Sequence, residues 1–547
     1  MTESDDSASL PTHRHGTLVD WYEWGPEPFA LAARDQQPVL LSLSTPWCRD
    51  CAEMDATVYA DPMLAAHIGE GFVPIRVDAD RRPGVRERYS MGGFPSTVFT
   101  TPAGEPINGA TLLDEAGFRG LLDAVRERWA AAGTAAGQVP PALAEEPPPV
   151  GRLDSRIEAH MVEQVAEAFD EQFGGWGEAA KFPLAGTIRF ALKRDRERGR
   201  AALDAALTHL QDADHGGWYR FAENRDWARP HRETLLDENA ALLRTATAAY
   251  LYTGAERYRQ SAAETVAFLE SQLWTGQAFA GSRPAPEPAP GDGEEPSWPA
   301  RDETIFADRN GLAAGALLAF SALTDDGEAR RLGLETLDHL LETLVNDGVV
   351  AHMASSERPR GLLSDQARLL GGLTRASQLT GEQRYTDSAR GVADALEPLQ
   401  SAEGVFIDAR PSGPALLDRP LRPLEANVEA ALALQTLGAL VEDDRYRDWA
   451  GDALAGFAGA SDRMGAELAP YGAACARQLY EPLVIHTPPA GSDLHRAALR
   501  VADHEKVVVP GSGETAVVQR GRERSAPAGS PAALSERVAE TSQPSIE

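Results

Sequence analysis

The chain has 547 residues, of which 43% are hydrophobic, so it is long enough for two or three domains with buried cores. It carries 83 acidic and 52 basic residues, a formal net charge of -31. Such a surface repels phosphate backbones and anionic lipids, which argues against nucleic acid and membrane partners. Nearly all the basic residues are arginines, since lysine occurs only at Lys181, Lys193 and Lys506. We interpret the acidity as a solvation device of a salt-adapted, halophilic cell.

Targeting signals and cysteine usage indicate the compartment. No stretch approaches the ~20 apolar residues of a membrane helix, and the first ten residues are polar and acidic. Three cysteines exclude a disulfide framework, and two of them form a single CxxC pair. We therefore expect a cytoplasmic protein that performs redox chemistry.

Strands and helices alternate in the first part of the chain. A polar tail, 1–15, is expected to be disordered, and the apolar run 38–43 is predicted to form a buried strand. The other predicted elements are helices over 28–35, through Met54, over 84–89 and over 114–131, with strands over 72–78 and 97–100. This alternation predicts a small α/β domain over 16–130 with a mixed sheet.

The chain beyond this domain is helical in character. Residues 131–150 are rich in Ala, Gly and Pro, which is typical of a linker. Residues 151–480 have helical periodicity, interrupted by a Pro-rich surface loop over 277–300. The pattern then changes to a small α/β appendage over 481–522, and the polar tail 523–547 is expected to be disordered.

An internal repeat runs through the helical region. The sequence Thr-Gly-Ala-Glu-Arg-Tyr at 253–258 recurs in related form at 380–385 and 441–446, with a weaker copy over 324–337. Each copy joins the end of one helix to the start of the next, so each marks a helical hairpin. Hairpins of roughly 55 to 65 residues give about six over the region, enough to close an α/α toroid. An open solenoid is the alternative.

The CxxC pair follows the predicted buried strand directly. Cys48 stands where a helix should begin, and a helix N-terminus stabilises a thiolate. Cys48 is therefore predicted to attack a disulfide and Cys51 to resolve the mixed disulfide. Pro95, within Gly-Phe-Pro-Ser-Thr at 93–97, fits the cis-proline loop that faces such a centre.

The cysteines allow two other interpretations. A zinc site needs two more ligands, and the remaining cysteine, Cys475, lies in a distant predicted helix, so no metal is expected. A pair of inert buried thiols is the other alternative. Arg49 favours the thiolate whereas Asp50 opposes it, so the redox direction is not determined by these two residues.

Several blocks resemble a known family. Residues 19–25, 48–54 and 76–78 resemble the thioredoxin-like domain of the spermatogenesis-associated, thioredoxin-domain-containing family, and 169–177 and 310–312 resemble blocks of its second domain. The resemblance implies a thioredoxin-like domain fused to a six-hairpin glycosidase-like toroid, here in a haloarchaeal-type, archaeal member. It implies an architecture more firmly than an activity, because the reaction of the second domain is not established.

The chain departs from the family pattern at several positions. The family usually has histidine and tryptophan between the cysteines and histidine after them, whereas this chain has Arg49, Asp50 and Ala52. The centre is therefore more like ordinary thioredoxin. A barrel histidine is replaced by Tyr219, and the block at 423–427 keeps only its ends, which counts against catalysis in the toroid.

Candidate toroid residues cluster after the glycine-aromatic turn at 216–219. The set predicted to bind a substrate comprises His231, Glu233, Glu238, Trp176, Trp218 and Tyr219, with Asp237 beside it and Asp365 and Glu178 as weaker candidates. Toroids of this kind gather carboxylates, histidines and aromatic rings at one mouth, where a sugar can stack and a carboxylate can transfer a proton. Acids that complement the dipole of a helix N-terminus are the alternative.

Three functions follow from these features. The favoured one is a thiol-disulfide oxidoreductase without a cofactor, which acts on protein thiols and disulfides while the toroid binds or presents a carbohydrate or small metabolite. The second is a carbohydrate-active hydrolase or epimerase with an accessory thioredoxin-like domain. The third is a non-catalytic interaction protein.

Overall fold

The computed structural model describes residues 16–143, 149–286, 300–355 and 359–541. It divides into two compact units. The first contains the described residues up to 143 together with Asp408–Leu421, and the second contains most of the remainder. The predicted tail 1–15 and most of the predicted loop 277–300 lie outside the described residues. No described helix is long and apolar enough to cross a membrane.

The first unit is built on a five-stranded mixed sheet in the order β1-β3-β2-β4-β5. Its strands are β1 (Tyr22–Glu23), β2 (Val39–Ser44), β3 (Val73–Asp78), β4 (Ser96–Thr100) and β5 (Pro106–Ala110). The first three strands in this order run parallel, and β4 and β5 are antiparallel to their neighbours. The central strands β2 and β3 are buried throughout, which explains their continuous apolar runs. The two edge strands lack that signal and were not predicted.

Helices cover both faces of this sheet. They are α1 (Pro26–Asp35), α2 (Arg49–Ala56), α3 (Pro62–Gly71), α4 (Pro83–Tyr89) and α5 (Glu115–Ala132). Leu41 and Leu43 belong to one core with Ile75, whereas Leu40 belongs to the opposite core with Phe118. Alternating strand residues therefore serve two separate cores, as the two-residue period of a strand requires.

A segment distant in sequence completes the first unit. Residues Asp408–Leu421, which the sequence assigns to the toroid, cluster with the thioredoxin-like unit instead. The buried Arg88 guanidinium binds the Asp408 carboxylate at 2.6 and 3.1 Å and donates to the Leu416 carbonyl at 2.8 Å. The Leu416 amide donates to the Tyr89 hydroxyl at 3.2 Å. A buried arginine requires such partners, and this requirement explains why the segment packs here.

The second unit is dominated by helices in hairpins. In chain order they are α6 (Ser155–Glu167), α7 (Ala185–Arg194), α8 (Arg196–Leu210), α9 (Leu236–Thr253), α10 (Glu256–Phe268), α11 (Ala307–Thr324), α12 (Gly327–Thr343), α13 (Leu363–Thr380), α14 (Gln383–Asp394), α15 (Leu424–Val441), α16 (Asp444–Ala458) and α17 (Ala469–Tyr480). The odd-numbered helices from α7 to α17 form an inner ring in which each packs on the next and α17 packs on α7. Each inner helix has an outer partner, and α6, the first helix, packs on α17. The unit is therefore a closed six-hairpin α/α toroid rather than an open solenoid.

The sequence repeat forms a recurring link between outer helices. The buried Tyr385 on α14 donates a hydrogen bond from its hydroxyl to Asp338 on α12 at 3.0 Å. Arg384 pairs with the same carboxylate at 2.7 Å and lies over the Tyr385 ring. Tyr258 and Tyr446 make the equivalent bonds to acids on α8 and α14, at 2.9 and 2.8 Å. The repeat tyrosines therefore join the outer helices of different hairpins, in addition to lying at the junction within each hairpin.

Short ladders and a C-terminal sheet complete the second unit. The two-residue strands are β6 (Phe221–Ala222), β7 (Pro230–His231), β8 (Thr234–Leu235), β9 (Ser282–Arg283), β10 (Val345–Asn346) and β11 (Val349–Val350). The C-terminal elements are β12 (Val484–Thr487), α18 (Asp493–Leu499), β13 (Val507–Pro510), β14 (Val517–Arg520), β15 (Glu523–Arg524) and α19 (Pro531–Thr541). The described part of the tail predicted to be disordered thus carries β15 and α19, because Leu534 of α19 is buried in the main core of the unit.

Candidate functional site

The CxxC pair lies at the junction of β2 and α2. Cys48 is the N-cap residue of α2, and its sulfur accepts a hydrogen bond from the backbone amide of Cys51 at 3.0 Å. The two cysteines form a disulfide. Their exposed fractions are 7% and 5%, so accessibility hardly distinguishes them. What distinguishes them is the position of Cys48 at the helix N-terminus, where unpaired amides and the helix dipole favour a thiolate.

The loop that contains Pro95 lies beside this centre. The pairing of β2 with β4 sets Leu43 opposite Ser96, which brings the preceding loop next to the segment that leads into Cys48. The rings of Trp47 and Phe94 meet edge to face at 5.9 Å, and the Phe94–Pro95 peptide bond is cis. The sequence pattern at 93–97 predicted the cis-proline loop.

Buried polar contacts fix the walls of the centre. The Trp47 indole donates a hydrogen bond to Asp80 at 2.8 Å. Asp55 on α2 forms a buried two-bond ion pair with Arg76 on β3, which ties the cysteine-bearing helix to the sheet. Cys475, by contrast, is fully buried in the second unit, and burial raises the pKa of its thiol to about 12. That thiol is a core residue, as the sequence indicated.

The second unit contains a cavity of about 440 Å³ among its inner helices. Its acidic layer comprises Asp237, Glu238, Glu425, Glu429 and Glu467, near the N-terminal ends of α9, α15 and α17, with Arg368 of α13 paired to Glu429. Its basic layer comprises Arg189, Arg244, Arg375, Arg477 and Lys506. Lys506 reaches the cavity from the C-terminal appendage. Two positions earlier, His504 is hydrogen bonded to Tyr252 near the C-terminal end of α9. The basic layer therefore lies deeper along the inner helices than most of the acidic layer.

Of the residues that the sequence predicted for a toroid site, Glu238 and its neighbour Asp237 line this cavity. Burial and the neighbouring Asp237 carboxylate raise the pKa of Glu238 to about 7. A carboxyl group with such a pKa exchanges protons near neutral pH, which is the property that general acid-base catalysis requires.

The predicted aromatic platform is not at the cavity. Trp176 and Trp218 are 4% and 0% exposed, and their indole nitrogens donate to the Val165 carbonyl and the Thr265 hydroxyl. Both are core residues. Tyr219 is half-buried and lies under the Arg232 guanidinium, outside the residues that line the cavity.

His231 and Glu233 form a separate polar pair. The Nδ1 atom of His231 lies 3.5 Å from a Glu233 oxygen, and its Nε2 atom is 3.0 Å from Glu223. The hydrogen bond to Glu233 raises the pKa of His231. Burial favours the neutral form of Glu233, but the bond from His231 and the nearby positive charges favour the carboxylate, so the pKa of Glu233 is lowered. The His231 ring stacks on Phe221, which stacks in turn on Phe182 at the cavity wall. His231 is therefore two rings away from the cavity.

The weaker sequence candidates lie elsewhere. Glu178 is exposed, whereas Asp365 is fully buried and accepts a hydrogen bond from His352 at 2.9 Å. Asp365, His352 and Asp308 offer three donor atoms within 4.8 Å of one another, a spacing that a metal ion could also use. Asp308 pairs with Arg368 at 3.3 Å, so the cluster already contains compensating positive charge.

The fold and the first site together define a class of protein: a thioredoxin-like unit with a CxxC centre, joined in one chain to a six-hairpin α/α toroid. Residues 2–143 match the family model Thioredox_DsbH, described as "Protein of unknown function, DUF255". The chain is 28% identical over 296 residues to human spermatogenesis-associated protein 20, an alignment that covers 47% of this chain and 37% of the relative. It therefore spans well under half of that relative. These matches agree with the resemblance seen in the sequence motifs.

Two more distant similarities cover smaller or less similar parts of known proteins. The chain is 34% identical over 105 residues to the thiol:disulfide interchange protein DsbD 2 of Pseudomonas aeruginosa, covering 18% of each chain. A sugar epimerase from a ruminal bacterium is structurally similar with a TM-score of 0.46 and 9% identity, covering 55% of this chain and 85% of the epimerase.

The sequence does not predict that the cationic residues of the basic layer lie together. The arginines of this layer stand singly in alanine- and leucine-rich helices far apart in the chain, where each resembles an ordinary solvent-exposed residue. One available signal was Lys506, one of only three lysines, placed directly before the apolar run Val507–Pro510.

Proposed function

We propose that the first unit catalyses thiol-disulfide exchange through Cys48 and Cys51, in the cytoplasm of a salt-adapted cell. One observation carries the proposal: the Cys48 sulfur caps α2 and accepts the Cys51 amide hydrogen bond. That environment stabilises a thiolate on Cys48 in the reduced protein. The cis-proline loop beside the centre and the similarity to a thiol:disulfide interchange protein support the same function.

The reaction follows from this geometry. In the reduced protein the Cys48 thiolate attacks one sulfur of a substrate disulfide, forms a mixed disulfide and releases the other sulfur as a thiolate, which takes up a proton. Cys51, one helical turn further on, loses its proton and attacks the Cys48 sulfur. The second substrate sulfur then leaves as a thiol. The substrate gains two electrons and two protons, and Cys48 and Cys51 become the disulfide of the structure. A cellular dithiol donor restores the reduced state.

Disulfide reduction tests this function directly. The full chain should reduce insulin disulfides in molar salt with a dithiol donor, and Cys48→Ser should abolish the activity. Cys51→Ser should accumulate the mixed disulfide, because it retains the attacking thiol and loses the resolving one. Cys475→Ala is the matched control, since this cysteine is in the core of the other unit, and it should retain the activity. Full activity in Cys48→Ser would overturn the proposal.

A carbohydrate reaction in the toroid is the second candidate, and Glu238 is the observation that favours it. Its carboxyl titrates at about 7 in a cavity whose wall includes the 41% exposed ring of Phe182. An aromatic side chain and a proton-transfer group that line one cavity suit a sugar ring. NMR of reducing sugars and disaccharides incubated with the protein should detect turnover that Glu238→Gln abolishes and Glu233→Gln retains. Unchanged sugars with the wild type would remove this candidate and leave the toroid as a binding or interaction unit.

A further inference from the structure

The basic layer of the cavity concentrates positive charge in a strongly acidic protein. It brings together five cationic side chains from different parts of the toroid: Arg189, Arg244, Arg375, Arg477 and Lys506. Four of them belong to inner helices α7, α9, α13 and α17, and the fifth comes from the C-terminal appendage. A chain with a net charge of -31 has many carboxylates that could neutralise such a cluster. The hydrogen-bond and ion-pair partners of each cation therefore decide whether its charge is neutralised.

Most of these cations have only neutral partners. Arg189 donates to the Thr245 hydroxyl at 2.9 Å, and Arg477 donates to the Thr436 hydroxyl at 3.0 Å. Lys506 donates to a backbone carbonyl at 3.2 Å. Arg244 and Arg375 make no hydrogen bond or ion pair with any residue that the structure describes.

The acids nearest to this layer are already paired. Glu505 accepts from Lys193 at 2.7 Å and from Arg194 at 3.2 Å. Glu429 pairs with Arg368 at 2.9 Å. The carboxylates near the basic layer therefore form their ion pairs with other cations, and they act on Arg189, Arg244 and Arg477 only through longer-range attraction.

The pKa values of these cations agree with an excess of positive charge in the basic layer. Burial, together with the charge of Arg244, lowers the pKa of Arg375 to about 10 and that of Arg189 to about 9. Burial, together with the charge of Arg375, lowers the pKa of Lys506 to about 7. Cations held in this way destabilise the empty protein, and a bound anion relieves the cost.

From the cavity and its unpaired cations we infer that the toroid binds a small phosphorylated metabolite, with the phosphate at the basic layer and a hydroxylated portion facing the acidic layer. Guanidinium groups bind phosphate with two parallel hydrogen bonds, and several of them suit a dianion better than a single carboxylate. Carboxylates, which only accept hydrogen bonds when ionised, suit hydroxyl donors at the other end.

The dimensions match this class of ligand. Glu238 and Arg244 are six residues apart on α9, which corresponds to roughly 9 Å along the helix axis. That separation suits the length of a hexose phosphate. The cavity volume of about 440 Å³ lies within the ordinary range for small-molecule sites.

Calorimetry with defined probes tests the inference. Glucose 6-phosphate, inorganic phosphate, glucose and citrate are titrated into the full chain in a phosphate-free buffer. Glucose 6-phosphate should bind at least tenfold more tightly than inorganic phosphate and at least tenfold more tightly than glucose. Arg244→Gln and Arg375→Gln should each weaken glucose 6-phosphate binding at least tenfold. Arg390→Gln, which removes an exposed arginine from the outer helix α14, is the charge-matched control and should bind as the wild type does.

Thermal unfolding without ligand separates lost binding from lost folding. Arg375→Gln should melt at the same temperature as the wild type or higher, because it removes a half-buried charge that forms no ion pair with any residue that the structure describes. A clearly lower melting temperature would assign Arg375 a structural role and overturn the inference.

The binding data contain two further overturning outcomes. No binding of either phosphate compound, or wild-type affinity in both arginine variants, would exclude a phosphate site at the basic layer. Tighter binding of citrate than of glucose 6-phosphate would replace the phosphorylated class with a polycarboxylate. None of these outcomes bears on Cys48, so the oxidoreductase proposal is tested independently.

Discussion

The backbone amide of Cys51 donates a hydrogen bond to the Cys48 sulfur across 3.0 Å, within the first turn of α2. This bond is made to the sulfur of Cys48, and Cys48 is also the residue at the N-terminal end of the helix. In the reduced protein Cys48 should therefore have the lower pKa and react with iodoacetamide at least tenfold faster than Cys51 at pH 7. Mass spectrometry of the two single Cys→Ser variants measures the rates. Equal rates would contradict the assignment of Cys48 as the attacking thiol.

Glu238 should make stability depend on pH. Its folded pKa of about 7 exceeds the ordinary value of 4.5, so between these values the folded protein binds more protons than the unfolded chain. The contribution of Glu238 to stability should therefore be greatest below about pH 4.5 and fall as pH rises to about 7. Glu238→Gln should raise the free energy of unfolding at pH 8 by roughly 1–3 kcal/mol. Urea titrations at pH 5 and pH 8 measure this change.

An exposed glutamate provides the control for this experiment. Glu163→Gln on α6 removes the same charge from the surface and should leave the difference between pH 5 and pH 8 as in the wild type. A Glu238→Gln protein with the wild-type pH dependence would show that Glu238 is ionised in the folded state throughout this range.

The links between outer helices should stabilise the toroid. Tyr385→Phe removes the hydroxyl that donates to Asp338 and should lower the free energy of unfolding by about 1 kcal/mol. Tyr480→Phe, at an exposed tyrosine on α17, is the matched control and should change it by less than about 0.5 kcal/mol. Chemical denaturation measures both values. Equal effects of the two substitutions would mean that the link contributes no more than an exposed hydroxyl.

Salt should stabilise the whole protein. A net charge of -31 repels itself when unscreened, and the Debye length grows from about 3 Å at 1 M salt to about 10 Å at 0.1 M. The melting temperature should therefore fall markedly when the protein is dialysed from molar to millimolar salt. Calorimetric scans across this range measure the change, and a flat dependence would contradict the interpretation of a salt-adapted protein.

The first unit could largely be predicted from sequence because its signals are local. The buried strand β2, the CxxC pair and the loop at Pro95 follow one another with strong patterns of hydrophobicity and turn residues. The participation of Asp408–Leu421 could not be predicted. It depends on a buried contact between Arg88 and Asp408, two residues 320 positions apart.

In the toroid, the sequence predicted the helical hairpins but not the side chains that line the cavity. The repeat predicted the hairpins, because each copy encodes a helix junction and the three stronger copies also encode a tyrosine that must be buried. It gave no information on which side chains face the centre. Trp218 follows a glycine turn, like a ligand-binding aromatic residue, yet it packs into the core. Arg244 and Arg375 line the same cavity because the ring of helices closes. The local sequence around a single arginine does not indicate that it faces such a cavity.

The pairing of α6 with α17 has a consequence for synthesis on the ribosome. The sixth hairpin joins the first helix of the toroid to a helix about 300 residues later, so the ring has a gap until α17 has emerged. During that interval the apolar faces of α6 and α7 that α17 will cover are available to chaperones, and a chain stopped before α17 exposes them permanently. The same closure brings the two ends of the helical array together, so a circularly permuted toroid that begins at another hairpin preserves every helix contact.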